Sequence, residues 1–464
     1  MKKLRLACLA LSAATLAPYL TSCISDRNPF DVAVVNEKET AKIRLVLDAA
    51  STRADNDLST DEEKIISKVN VFVFDDFGAL EKIETNVSVS SESPAVLEVT
   101  PGNKTVYAVS AKSVVGSTVD VGATMTEFEN VVFSSTVNDL KTNDGFVMIG
   151  KSGSQQVFKS MDASEIPASN IFNIELVRLL AKTQVKFDNV DASGFGFKIG
   201  NAHYRVCQTS DKMRLKYNGT DVFESYGKND GGTYEGYSKG GVNDNKLVVK
   251  GAFTAADCQY VPENIVKNPV SGNTTFVILS VNLIPLSFYE YYVELTSSAN
   301  TEQNALSFYA VALVDEENGF EDFVIDPSNK HVIVFKSSAD ADRYINALNG
   351  GQASAITVSE AENPMKAAAA KAQDGGTRQF QKVFFTGGMA YYRINISDSE
   401  GALKVERNKF YKIAVNSIKN LGFHDLNLLR PKNPESDPGH STSAWIESVL
   451  TVAKWDEVDQ DVDL

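Results

Sequence analysis

Two residues near the start of this 464-residue chain are placed to take part in covalent chemistry. Cys23 closes Leu20-Thr21-Ser22-Cys23, behind a leader with Lys2, Lys3 and Arg5 at its start and an apolar run from Leu6 to Leu16. Its thiolate can take up a diacylglyceryl group, and a cut just before it frees an amine for a further acyl chain. A plain export signal needs no cysteine there, so a lipid anchor on the precursor is the expectation. The apolar run falls short of the ~20 residues that a spanning helix takes. Arg53 is the second such residue. It lies in Ala50–Asp57, a small, polar stretch with the composition of an exposed loop that a protease can enter. An arginine-specific cut between Arg53 and Ala54 would part everything upstream from everything downstream, whereas an ordinary surface arginine would do nothing of the kind.

Other motifs promise less. Gly145-Phe146-Val147-Met148-Ile149-Gly150-Lys151-Ser152 spells the GxxxxGK[ST] of a phosphate loop. Such a loop needs a buried strand before it, a pliant backbone whose amides wrap the anion, and a helix after it. Here Asn138–Asp144 is polar, the four central residues are bulky and apolar, and Ser152-Gly153-Ser154-Gln155 begins no helix. A core strand over Phe146–Ile149 is expected instead. His203, His331, His424 and His440 are scattered without metal-ligand spacing. GxSxG is absent, Asp340-Ala341-Asp342 lacks the rest of a calcium loop, and Glu316-Glu317 reads as an exposed acidic pair. No catalytic residue, cofactor or metal site is expected.

Charge narrows the partners. The chain holds 45 Lys and Arg against 60 Asp and Glu, a net of −15. Residues 1–53 contain eight of the basic and five of the acidic residues, so a product beginning at Ala54 holds 37 against 55, a net of −18. Such a surface repels nucleic-acid phosphates and anionic lipid headgroups. Of the four cysteines, Cys8 leaves with the leader and Cys23 takes the lipid. Cys207 and Cys258 remain; outside the cytoplasm a disulfide between them is permitted, and two separate reduced thiols are the other reading.

The elements that must position these residues are mainly β. In Ala41–Ala49, AKIRLVLDA, residues Ala41, Ile43, Leu45, Leu47 and Ala49 fall on one face of an extended strand, and Lys42, Arg44 and Asp48 on the other. Ser59–Glu63 predicts a short helix with a capping box. Strands follow at Lys68–Asp75, Asn86–Ser90, Ala95–Val99, Thr105–Ala111 and near Phe133, spaced as in a sandwich. Asn173–Val190 opens a second set that continues to Ile418. Asp340–Leu348 and Asn363–Ala372 predict short helices, and Tyr217–Asn245 a long surface loop. Ile446, Leu450 and Val452 mark a late strand. Beyond Asp456, Val458, Val462 and Leu464 alternate with Asp459, Asp461 and Asp463. A chain that ends on a free amphipathic strand invites pairing with another chain.

In order along the chain, the cysteine at 23, a strand followed by an arginine near position 50, ELVRLLAKTQVKF (Glu175–Phe187), GGMAYYRINI (Gly387–Ile396), VERNKFYKIAVNSIKNLG (Val405–Gly422) and TVAKWDEV (Thr451–Val458) resemble the Bacteroidales fimbrillins, the type V pilins. The resemblance is nearer to the minor-fimbria stem branch than to the major one. It implies two β-sandwich-like (transthyretin-like) domains in tandem with few short helices: a leader over 1–23, a propeptide over 24–53, and domains over 54–172 and 173–464. It further implies an outer-membrane lipoprotein precursor, lipidated on Cys23 and cut between Arg53 and Ala54. The removed strand carries Ile43, Leu45 and Leu47, and the donor that replaces it is a neighbour's tail with Val458, Val462 and Leu464. The implied partners are an arginine-specific protease and other copies of the chain or related fimbrillins, in a filament supporting adhesion. A non-polymerising surface lipoprotein, as a fimbrial anchor, tip or glycan-binding protein, is the alternative.

Overall fold

Alternating apolar residues make strands of most of the segments so read. The computed structural model describes residues 39–49, 59–89, 94–110, 119–134, 137–142, 145–160, 166–210, 212–215, 245–266, 268–290, 293–296, 306–315, 320–326, 328–349, 357–358, 379–398, 400–429 and 446–454. The first group of strands comprises β1 (Ala41–Ala49), β2 (Lys68–Phe74), β3 (Leu80–Ser88), β4 (Ala95–Val99), β5 (Gly102–Ser110), β6 (Met148–Lys151), β7 (Gln155–Val157) and β8 (Ile171–Arg178). They form one sheet in the order β3-β2-β5-β6-β8-β1-β4, with β7 also on β5. The sheet curls about a single core until its two outer strands meet: Lys82 Nζ donates to the Glu98 carbonyl at 2.8 Å and the Thr100 amide to Glu81 Oε1 at 2.7 Å. Phe72, Phe74, Tyr107 and Phe128 pack edge-on or tilted at its centre.

Strand β3 begins at Leu80, earlier than the Asn86 start expected from sequence. Its residues are half exposed, which hides the alternation, and the hairpin before it is set by local chemistry. Asp75 Oδ1 accepts the amides of Phe77 and Ala79, both at 2.9 Å, and Gly78 takes φ +76°. The helix expected from Ser59 is a single 3-10 turn, Asp61–Lys64.

Leu179 separates β8 from β9 (Leu180–Phe187). The first core ends at Leu180 in this segment and the second begins at Ala181, so β8 stays in the first sheet past the Phe172/Asn173 boundary read from sequence. The second group continues with β10 (Phe197–Cys207), β11 (Gln259–Pro262), β12 (Phe276–Pro285), β13 (Phe308–Asp315), β14 (Phe320–Ile325), β15 (Gln379–Phe385), β16 (Met389–Asn395), β17 (Lys409–Ile418) and β18 (Ile446–Lys454). In one sheet β9 pairs parallel with β17, β17 antiparallel with β18, and β11 antiparallel with β9. In another, β10, β12 and β16 run antiparallel. The two enclose the second core, and Tyr204 reaches across it to donate to the Thr183 carbonyl at 2.9 Å. A third sheet, β13 with β14 and β15, carries helix α1 (Ser338–Asn349), whose Ala341 and Tyr344 pack on Val311, Val324 and Phe335. The protein is thus mainly β.

The disulfide permitted by sequence is not formed: Cys207 and Cys258 are separate buried thiols. The odd spacing of Cys207 from Tyr204 explains this. Tyr204 faces the second core and donates to the Asp257 carbonyl at 2.7 Å, which places Cys258 on that side of the sheet. Cys207, three residues on, faces the opposite side against Phe276, Ile278 and Leu429. Burial pushes each thiol up to about 12. Residues 217–244 of the loop expected over Tyr217–Asn245, the stretch Asn363–Ala372, the pair Glu316-Glu317 and His440 lie outside the described residues.

Candidate functional site

The seat of β1 is the feature to which the sequence pointed. Ala41, Ile43 and Leu45 are fully buried in the first core and Leu47 is partly buried against it, while Val46 on the outer face is 44% exposed. The strand is interior to its sheet. Arg44–Ala49 pairs parallel with Ile171–Leu176 of β8, and Ala41–Leu45 pairs antiparallel with Val99–Ala95 of β4. The two pairings are staggered, so β8 flanks the later part of the strand and β4 the earlier part.

At its start β1 lacks β8 as a neighbour, because the chain before Ile171 winds into a 3-10 turn, Ala168–Asn170. Two other groups take over. The Lys42 amide donates to the Ser160 carbonyl at 3.1 Å, and Asn170 Nδ2 donates to the Lys42 carbonyl at 3.1 Å. Asn170 is fully buried. Its Nδ2 also donates to the Phe158 carbonyl at 2.7 Å, and its Oδ1 accepts the Phe158 amide at 2.9 Å and Ser169 Oγ at 3.2 Å. Gln155 Nε2 braces the same corner by donating to the Ile171 carbonyl at 2.9 Å.

Downstream of β1, the chain is pinned at Glu63. Its carboxylate is fully buried and accepts from Lys182 Nζ at 3.0 Å, from Tyr260 Oη at 2.8 Å and from the Thr60 amide at 2.9 Å, while its carbonyl accepts from Arg178 Nε at 2.7 Å. Burial lowers the Lys182 pKa against the pull of Glu63, and it raises that of the Tyr260 hydroxyl. Gly145, at φ +109°, lies against the Ile65 carbonyl, where a Cβ would come within 2.9 Å. The segment after the expected cut is therefore held from both cores.

Of the residues singled out from sequence, Ile43, Leu45 and Leu47 lie together on the inner face of β1. Cys23, Arg53, Ala54, Val458, Val462 and Leu464 lie outside the described residues. The GxxxxGK[ST] stretch is strand: Gly145–Phe146 and β6 belong to sheets, Ser152 Oγ accepts the Val106 amide at 2.9 Å, and a Cβ on Gly150 would strike the Glu175 carbonyl of β8. Its glycines serve close packing. Sequence reasoning missed Asn170 and Ser160, and it read Glu63 only as part of a capping box, which is present, and not as a buried partner of Lys182. Asn170 offered only the Pro167-to-Asn170 turn composition, and Glu63 sits in the charged run DEEK, which reads as solvated.

The family comparison starts at the same strand. Residues 41–197 match the family model described as major fimbrial subunit protein (FimA). Over that stretch the chain is similar to the FimA fimbrillins. Solved structures similar to the chain include a fimbrilin (fimA) from Porphyromonas gingivalis W83, with 13% identity, 91% of this chain and 99% of that one covered, and a TM-score of 0.44. The tip fimbrial protein Mfa3 from Porphyromonas gingivalis, with C-terminal truncation, has 13% identity, coverage of 89% and 100%, and a TM-score of 0.39. A fimbrial assembly protein from Parabacteroides distasonis has 17% identity, coverage of 64% and 98%, and a TM-score of 0.31. No curated protein matches the chain.

Proposed function

We propose that the chain is a structural pilin subunit that polymerises by strand exchange and has no catalytic role. It is exported as a precursor, anchored in the outer membrane through lipid on Cys23, and cut between Arg53 and Ala54 by an arginine-specific protease. β1 then leaves its seat, and the C-terminal segment of another copy, or of a related fimbrillin, enters. Val458, Val462 and Leu464 supply the inward side chains of that segment. Of the two domains implied by the resemblance, 54–172 and 173–464, the first together with β8 carries the acceptor seat, and the second carries the donor tail. The filament supports adhesion.

What supports this most is the place of β1. It is the first described strand, it lies inside its sheet, and the chain beyond it is pinned separately at Glu63. One cut between the two releases the strand without unfastening the rest. Its loss uncovers the cleft that Ile43, Leu45 and Leu47 fill. At about 1.5 to 3 kcal/mol for each large side chain, with ladder hydrogen bonds besides, a replacement strand is held by roughly 5 to 10 kcal/mol. An occupant that keeps the direction of β1 stays parallel to β8 and antiparallel to β4. Donor and seat are different surfaces, so the contact does not close on itself and propagates into a fibre. The uncut strand blocks assembly until processing.

Negative-stain imaging before and after trypsin tests the proposal, alongside an Arg53→Ala variant. Fibres are expected only after the cut and only from the parent. Fibres from Arg53→Ala would overturn it, and single particles in every arm would favour the permanently anchored surface protein.

A further inference from the structure

The start of the β1 seat is built from a side chain where a sheet ordinarily offers backbone. A strand residue directs its N–H and C=O to the same flank, and its two neighbours direct theirs to the other. Ala41–Leu45 run along β4 on one flank, and the Lys42 amide and carbonyl turn to the other, the β8 side, where the 3-10 turn has carried the β8 backbone away. Asn170 fills the gap. Its carboxamide carries the same donor and acceptor as a peptide bond, and all four of its hydrogen-bonding positions are used: two from Nδ2, to Phe158 and Lys42, and two on Oδ1, from Phe158 and Ser169. Ser160, meanwhile, accepts the Lys42 amide.

Two consequences follow from elementary chemistry. With β1 in place the Asn170 carboxamide is fully buried; a replacement strand that covers it again without a carbonyl at that point would leave one Nδ2 hydrogen buried and unsatisfied, which is costly, so the seat favours a strand that brings a carbonyl there. The contact also ignores side-chain identity, since Lys42 is engaged only through its main chain, whereas a shift by one residue would turn the apolar face outward and present the wrong residue to the pair.

Resting on the strand exchange proposed above, we propose that the Ser160 carbonyl and the Asn170 carboxamide form a backbone clamp that sets the phase of whatever strand occupies the β1 seat, and that the tail of a second copy must satisfy it. The clamp reads one residue's N–H and C=O and no side chain. Proline is therefore excluded at that position, having no N–H to give, while other residue types are admitted. Sequence selectivity is left to the inward residues on either side.

Synthetic peptides of residues 39–49 of this chain, titrated into trypsin-cut protein that lacks Val458–Leu464, so that no neighbour's tail fills the seat, test the clamp. The unmodified peptide is expected to bind. Replacing the Lys42 amide N–H with an ester oxygen should weaken binding about tenfold, roughly the worth of one well-placed hydrogen bond with the repulsion left behind. A Lys42→Ala peptide should bind within about twofold of the parent, because its main chain is unchanged. An Asn170→Ala protein should lose about tenfold for the unmodified peptide. The ester arm uses the parent protein, so it stands even where that variant folds poorly. Equal binding of ester and amide peptides overturns the clamp while leaving strand exchange intact. Failure of the unmodified peptide to enter the cut protein overturns strand exchange itself, and the clamp with it.

Discussion

Strands β1 and β18 are both nine residues long and stand near opposite ends of the described chain, yet one is enclosed and the other lies on a rim. β1 has β8 on one flank and β4 on the other, whereas β18 ends the sheet order and pairs with β17 alone among the described residues. Enclosure concentrates the consequences of loss. Removing β1 opens the middle of a sheet and uncovers core side chains, while removing β18 moves an edge inward by one strand. A replaceable strand in the position of β1 leaves an open slot in its sheet, whereas a rim strand in the position of β18 leaves none.

The largest expected effect breaks this contrast at its centre. Leu45→Asp in the uncut chain puts an unpaired carboxylate into the first core and should cost about 4 kcal/mol or more. Hydrogen exchange should show the amides of Ile174 and Leu176 in β8 losing protection. Deleting the chain from Ile446 onward should leave those two amides protected as in the parent. Equal loss of protection in both variants would make the two strands equivalent.

A smaller effect is expected where the chain is pinned after β1. Glu63→Gln strands the buried Lys182 ammonium and should cost about 3 kcal/mol near neutral pH. Burial holds the Lys182 pKa below its ordinary 10.5, with Glu63 opposing the shift. Between the lowered value and 10.5 the unfolded chain binds more protons than the folded one, so stability from this site rises with pH through that window. Removing Glu63 lowers the folded value further and widens the window downward, so the penalty should shrink as pH is raised. Urea unfolding at about pH 7 and about pH 9.5 measures it, and a pH-independent penalty would show that the pair contributes through shape alone. The smallest effect is none. With Cys207 and Cys258 as separate thiols, a reducing agent should leave the unfolding midpoint unchanged.

Much of the fold was legible because alternation is a local signal. It marked β1 from Ala41 to Ala49 and β4 and β5 close to their observed limits, while bulky apolar residues marked the strand expected over Phe146–Ile149 in a misleading GxxxxGK[ST] string, observed as Gly145–Phe146 and Met148–Lys151. It could not place β1 inside the sheet, since its parallel partner Ile171–Leu176 lies more than a hundred residues away and no local pattern encodes such pairing. β3 was half hidden because its residues are partly exposed on both faces. Asn170 and the burial of Glu63 escaped for a related reason: a polar residue in a turn and an acid in a charged run read as solvated until tertiary structure covers them.

The flanking of β1 also fixes how its seat meets a pull. A strand tugged along its own axis must slide against β8 and β4 together, so the hydrogen bonds on both flanks share the load and yield only in concert. An edge strand drawn sideways gives way one bond at a time, like tape lifted from a corner. The enclosed slot is thus a fastening that resists shear, and the direction in which it is strongest is the direction of the strand itself.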